Sequence, residues 1–320
     1  MKVIPDILIL TRSEDFHAFA VSDALDERGL SAAVIETDRL VASGGVSWDL
    51  QAPSSATLPD ARGRPVQVSA ARLVWWRRFT GEPAIPEHVD GQARAFVARE
   101  CRASLLGLVA TESRARYISD PEATRAASNK LVQLRVAQQA GLRVPRTLVS
   151  SDPVAVRDFC TELGWEVIVK TVGGAGPRQP LMTGRLRPEL LPAAAVELCP
   201  AIYQELIPGD RHLRVNVFGD RAYAAELRSN RLDWRYPLDC DAAPAVLDPA
   251  TKDQLLRVLD MLGLRMGIFD LKLTPGGEVV WLEINPQGQF LWLEGLTGMP
   301  LLAAFTDYLT SQLEHQRSLS

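Results

Sequence analysis

Residues 267–286, GIFDLKLTPGGEVVWLEINP, are the stretch that most restricts how this chain can fold. Two runs rich in strand formers flank Gly276-Gly277, a pair that suits a two-residue primed hairpin turn, and Pro286 stops the second run. The pattern predicts an antiparallel sheet. Alternate side chains of a strand share a face, so Glu283 and Asn285 point the same way, about 6.6 Å apart along the chain. A turn centred on Gly276-Gly277 puts Asp270 opposite Glu283 and Lys272 opposite Trp281. Asp270, Glu283 and Asn285 then form one oxygen-rich face, a donor set that suits Mg²⁺ bound together with a nucleotide phosphate. A one-residue slip would turn Asp270 away, and polar residues on a solvated edge hairpin would need no ligand. The setting favours a site, because Gly288 lets the following loop fold back closely, as the rim of an active site requires.

The rest of the chain alternates strands and helices. DILILT, then EDFHAFAVSDALDERGL, then SAAVIETD read as strand, amphipathic helix and strand, the rhythm of a small parallel sheet. Residues 41–65 are rich in Gly, Ser and Pro, with at most a weak hairpin. RLVWWRRF is a further strand, and a long helix covers EHVDGQARAFVARECRASLLGLVATE. Pro121 opens a helix predicted to run unbroken to Gly141. A strand VPRTLVS, a helix, a strand EVIVKTV and the glycine-rich loop GGAGPRQP follow. PAIYQELIPG is a strand entering a turn, RHLRVNVFGDRAYAAELRS is a hairpin, and PLLAAFTDYLTSQLEHQ is a last amphipathic helix. The predicted divisions are residues 1–118, 119–202 and 203–320.

Composition excludes several classes. With 47% hydrophobic and 23% charged residues the chain is globular, and at 320 residues it needs more than one small core. A net charge of −4 argues against nucleic acid or an anionic membrane as partner. No apolar run approaches the roughly 20 residues of a membrane span. Cys101, Cys160, Cys199 and Cys240 lack metal-ligand or redox spacing and read as free thiols, which fits a cytoplasmic protein. The four scattered histidines give a serine or cysteine hydrolase little support.

Lys170 closes the apolar strand EVIVK just before the glycine-rich loop, where an ammonium can hold phosphates. Lys130 lies forty residues earlier. Each alone reads as a surface lysine. In order with the acidic hairpin, they resemble the ATP-grasp superfamily. That resemblance implies an α/β fold of α+β character, an ATP-grasp core behind an N-terminal Rossmann-like domain. It implies ATP and Mg²⁺, with two ions, as cofactors. It further implies that Lys130 and Lys170 hold phosphates, that Gln204, Glu205, Leu206 and Ile207 line the adenine pocket, that Asp210 approaches the ribose and that Arg214 meets the terminal phosphates. Asp270, Glu283 and Asn285 are the implied metal set.

A narrower resemblance rests on WWRRF, NKLVQLRVAQQAGLRVPRTLVSSDP, DWRYP and EINPQGQFLWLE, which are similar to the maturases of microviridin-type, or graspetide, pathways. It implies an enzyme that joins Asp or Glu side chains of a ribosomally made precursor peptide, with leader and core, to Ser, Thr or Lys. It also implies a homodimer. Arg235 becomes a candidate to hold the substrate carboxylate or acyl-phosphate, against a plain salt bridge to Asp233 or Asp239. Trp234 reads as packing. Arg77 and Arg78 occupy adjacent strand positions, so only one can face the cleft. The competing readings are a glutamate-adding or glutathione-synthetase-like ligase and an inactive nucleotide-binding regulator.

Overall fold

The computed structural model describes residues 2–40, 43, 45–52, 56–79, 84–86, 88–173, 183–234 and 240–317. The first half of the chain contains β1 (Ile7–Thr11), α1 (Phe16–Asp26), β2 (Ala32–Glu36), β3 (Thr57–Pro59), β4 (Pro65–Gln67), β5 (Leu73–Trp76), α2 (Gly91–Glu112), β6 (Arg116–Ile118), α3 (Pro121–Ala127), α4 (Lys130–Gln139) and β7 (Thr147–Ser150). Next come α5 (Pro153–Glu162), β8 (Val167–Lys170), β9 (Gly184–Arg185), α6 (Ala193–Val196), β10 (Ala201–Glu205), β11 (Arg211–Phe218), β12 (Arg221–Arg228) and β13 (Asp241–Ala245). The chain ends with α7 (Pro249–Met261), β14 (Met266–Leu273), β15 (Val279–Asn285), α8 (Leu291–Thr297) and α9 (Leu301–Arg317). Two compact units result, Met1–Pro121 with Pro300–Ser320, and Glu122–Met299.

The first unit holds the expected parallel sheet, in the order β2-β1-β5-β6. Ile7, Leu8, Ile9 and Leu10 are fully buried, as an unbroken apolar run in the middle of a parallel sheet must be. The short β6, whose RYI carries little strand signal, was not anticipated. The last helix, expected among residues 203–320, packs in this unit against α1. Phe305 lies 4.8 Å from Trp75, and Arg28 reaches Asp307 at 2.9 Å. The apolar stripe Leu301, Phe305, Leu309 and Leu313 demands a partner face, but its spacing does not say which.

Just beyond β5, Arg77 is buried rather than facing a cleft. Its Nε donates to Asp15 at 3.2 Å, Thr11 Oγ1 donates to the same carboxylate at 2.7 Å, and the guanidinium lies over the Trp75 ring. His17 sits beside this pair. Burial, then the Arg77 charge, push its pKa down to about 3.

The second unit has two antiparallel sheets. One runs β7-β10-β8-β9, with Val156 and Cys160 of α5 packed on Val167 and Tyr203. The other runs β13-β12-β11-β14-β15. One face of it presents Leu213, Val215, Phe269, Leu271 and Trp281 to Leu255, Val258 and Leu259 of α7 and to α4. The single helix predicted from Pro121 is two. The chain breaks at Ser128-Asn129, where Asn129 Oδ1 accepts the amides of Leu131 and Val132 and caps α4. Lys130 therefore stands at the first position of a helix, not in the middle of one.

The buried histidine of the first unit has a consequence for acid stability. The unfolded chain takes up a proton on His17 near pH 6.5, whereas the folded chain resists until about pH 3. His17 therefore makes stability fall as pH drops through that window, by an amount on the order of a few kcal/mol. His17→Asn should flatten this part of the stability–pH curve in urea titrations; an unchanged slope would show that His17 does not contribute.

Candidate active site

The β14–β15 hairpin is formed, but not by the expected turn. Thr274 N donates to Glu278 O, and Gly277 adopts φ +81°, so the loop is the three residues Pro275–Gly277. This register sets Lys272 opposite Val280 and Leu271 opposite Trp281, which corrects the expected Lys272–Trp281 facing. One extra residue, Leu282, is then accommodated as a bulge, and beyond it Asp270 pairs with Glu283. The shorter predicted turn and the unpredicted bulge cancel, so the carboxylate pair is as expected for a different reason.

Pairing across β11, β14 and β15 arranges the face opposite the core in three rows. His212, Lys272 and Val280 form the first, Arg214, Asp270 and Glu283 the second, and Asn216, Ile268 and Asn285 the third. The first row lies nearest the start of β11, which follows residues 204–210 directly. A Cβ at Gly288 would come within 2.6 Å of Ile268 Cγ1, so only glycine lets the loop after Asn285 close over the third row.

A single pocket brings together Lys130, Lys170, Gln204, Glu205, Leu206, Ile207, Asp270 and Glu283, with His212, Lys272, Asp233 and Trp234. Lys170 Nζ donates to Gln204 Oε1 at 2.9 Å, and Gln204 Nε2 donates to Thr147 Oγ1 at 2.9 Å. Lys130 Nζ is 3.8 Å from Glu283 Oε2. The Glu205 carboxylate turns to Arg143 at 3.3 Å and to the Arg146 amide at 3.0 Å, leaving the backbone of its segment to the pocket. Arg214 is buried. Its Nη1 lies 2.8 Å from both oxygens of Asp270, and its Nη2 donates to Gln289 O at 2.9 Å. Trp234 and Trp292 lie over that guanidinium at 5.9 and 5.8 Å, so Trp234 packs, as read from the sequence. Asn285 is exposed and its Oδ1 accepts the Gln287 amide. Asp210 does not line the pocket but acts on His212 and Lys272 through its charge. Arg235 and most of the GGAGPRQP loop lie outside the described residues.

Sequence reasoning missed Gln133 and His212, and placed Lys272 beside the acidic face without giving it a role. Gln133 of α4 donates to Ile284 O at 2.9 Å and accepts from Ile284 N at 3.1 Å, fixing α4 to the outer edge of β15. His212 Nε2 lies 3.1 Å from Lys272 Nζ. Burial, then the Lys272 charge, hold His212 down at about 4, so it is neutral at pH 7, and burial lowers Lys272 as well. Only the even spacing of His212, Arg214 and Asn216 hinted that His212 shares a face with Arg214.

The donor set can be tested against Mg²⁺. Among the described residues no cluster of three His, Cys, Asp or Glu could hold a metal unaided. Two carboxylates and an amide oxygen are too few for a closed cation site but suit an ion that arrives with phosphate oxygens. The cations now facing Asp270 and Glu283 show that this face stabilises positive charge.

Comparison with known proteins agrees with the fold. Residues 6–125 match the family described as MvdD pre-ATP grasp domain. The macrocyclase MdnC of Microcystis aeruginosa MRC, solved bound with its precursor peptide MdnA, is 28% identical at a TM-score of 0.85, over 96% of this chain and 99% of that one. The ATP-grasp ligase PsnB, solved with a phosphomimetic variant of minimal precursor, Mg and ADP, is 26% identical at a TM-score of 0.78, over 96% and 98%. Alpha-aminoadipate–LysW ligase LysX of Sulfurisphaera tokodaii is 24% identical over 157 residues, 46% of this chain. The chain spans about half the length of this curated relative, 55%. The chain has the fold of the ATP-grasp ligases. It is built like the peptide macrocyclases, and its residues 6–125 match an MvdD-type pre-ATP grasp domain.

The Arg214–Asp270 pair sets a measurable stability. Arg214→Ala leaves a buried carboxylate without its partner and should cost about 3–5 kcal/mol. The double change Arg214→Met with Asp270→Leu should recover most of that loss in urea unfolding. A double variant as unstable as the single one would show that packing, not charge, dominates there.

Proposed function

We propose that the protein is an ATP-dependent peptide macrocyclase. It activates Asp or Glu side chains of a ribosomally made precursor peptide and closes esters with Ser or Thr, or amides with Lys, releasing ADP and phosphate. A leader segment of the peptide binds the enzyme and a core segment is modified. The observation that carries this reading is one pocket joining Lys130, Lys170, residues 204–207 and the Asp270–Glu283 pair, in a chain similar over 96% of its length to a macrocyclase bound with its precursor peptide.

The chemistry follows from the side chains. A carboxylate resists attack by an alcohol at neutral pH. In the first step a peptide carboxylate oxygen attacks the γ-phosphorus of ATP, the bond to ADP breaks and an acyl-phosphate forms. In the second, a hydroxyl or amine adds to the carbonyl carbon, phosphate leaves and a proton is lost. The protein mainly positions and screens charge. Lys130 and Lys170 hold phosphates in this scheme. Gln204 and the backbone of Glu205, Leu206 and Ile207 meet adenine, Asp210 meets ribose, and Arg214 steadies the transferred group. Asp270, Glu283 and Asn285 would hold Mg²⁺, which supplies neutralisation of phosphate charge. Two such ions would draw their protein oxygens from this set, to which each carboxylate has two oxygens to offer. Arg235 holds the acyl group. We place the reaction in the cytoplasm, where ATP is abundant, and in a homodimer; among the described residues no helix is long and apolar enough to cross a membrane.

The match to LysX favours a second reading, a ligase that adds an amino acid to a protein or small molecule. Co-expression with the peptide encoded by a neighbouring short reading frame, followed by intact mass, separates the two. Each ring lowers the peptide mass by one water, whereas ligation raises it by an amino-acid residue. Lys130→Ala and Lys170→Ala should each weaken ATP binding or stop turnover with the melting temperature kept. Arg235→Ala should bind ATP but close no rings; closure at the wild-type rate would remove Arg235 from this role.

A further inference from the structure

The first row of the pocket face holds a cation in an unusual position. Lys272 is 8% exposed and lines the pocket, yet among the described residues no carboxylate lies within ion-pair distance of it. Its polar neighbour is the neutral His212, whose Nε2 stands 3.1 Å away. Two neighbouring cations differ, since Lys130 lies 3.8 Å from Glu283 and Arg214 pairs with Asp270. Asp210 acts on Lys272 only through its charge, without an ion-pair contact, and burying an ammonium with no carboxylate in contact is costly; an apolar residue of the same length would pack here at less cost. The pairing with His212 has a definite effect. An imidazole nitrogen that accepts from the ammonium fixes the direction of Nζ without neutralising its charge. The lysine is thereby held ready for direct contact with an anion, a contact that no carboxylate among the described residues makes.

The position of Lys272 narrows the choice of anion. It lies two residues along β14 from Asp270, about 6.6 Å, on the same face and on the side of residues 204–207. A nucleotide whose base meets residues 204–207 and whose terminal phosphates meet the Arg214–Asp270–Glu283 row must pass its α-phosphate over the first row. We infer that Lys272, positioned by His212, is an additional nucleotide-binding residue that takes the α-phosphate. This rests on the ATP-grasp reading of the pocket. It adds to Lys130 and Lys170 a contact made from the sheet beneath the nucleotide. His212 is a positioning residue that acts through Lys272.

The test compares ligands of increasing phosphate content. Lys272→Met keeps length and removes charge. Calorimetric titration of wild type and variant with adenosine, AMP, ADP and ATP should show the three phosphorylated ligands weakened roughly ten- to hundredfold, with adenosine unchanged. The nucleotide-free variant should melt no lower than wild type, which separates lost recognition from lost folding. His212→Phe should give part of the same loss in the native background and none in the Lys272→Met background. Should Lys272→Met not fold, Lys272→Gln carries the same comparison. AMP binding at wild-type strength in the variant would overturn the assignment, as would an equal loss of adenosine and AMP, which would mark a ribose contact. Failure of the wild-type protein to bind ATP and ADP would instead overturn the ATP-grasp reading of the pocket.

Discussion

One residue too many in β15 sets the chemistry of the pocket. The three-residue turn alone would align β14 and β15 so that Leu282 faced Asp270 and Glu283 faced Phe269. Every side chain beyond the turn alternates faces, so that register would bury Glu283 among the apolar residues under α7. The bulge at Leu282 absorbs the mismatch. Trp281 and Ile284 remain in the core, while Leu282 and Glu283 both line the pocket. Bulges next to functional sites commonly re-aim a side chain in this way.

The second constraint is the edge of that strand. An outer strand exposes unpaired amides and carbonyls, and here they are covered from the same unit. Gln133 takes both backbone groups of Ile284, and the Trp281 amide donates to Arg143 O at 2.8 Å. Because Asn129 ends one helix and starts the next, the clamp at Gln133 carries Lys130 toward Glu283. A side-chain amide with no chemical role in the reaction thus positions a lysine that has one in the proposed mechanism.

The pocket face stores charge at a cost to the fold. Arg214 and Asp270 neutralise each other beneath two tryptophans, and Lys272 rests on an imidazole. A sheet face selected for stability alone would be apolar on both sides, as the opposite face already is. Conflict between local packing and residue type of this kind is expected where a protein handles charged ligands.

Much of the architecture was legible in the sequence because local rules decide it. The apolar run of β1, the hairpin at Gly219-Asp220 and the proline-started helices α5 and α7 follow from periodicity, turn chemistry and capping. So does the shared face of Glu283 and Asn285, since two residues apart on a strand always means one side. The ordered lysines and acidic hairpin pointed to the ATP-grasp fold. Other features depend on partners distant in sequence. β6 forms because β5 offers an edge, and α9 joins the first unit because Trp75 and α1 present the apolar surface its stripe needs. The bulge, the Gln133 clamp and the Lys272–His212 contact arise only when three strands and a helix meet. Local sequence determined which elements form and which faces they offer. Tertiary structure decided which faces meet, because burial and hydrogen-bond satisfaction are properties of the assembled chain.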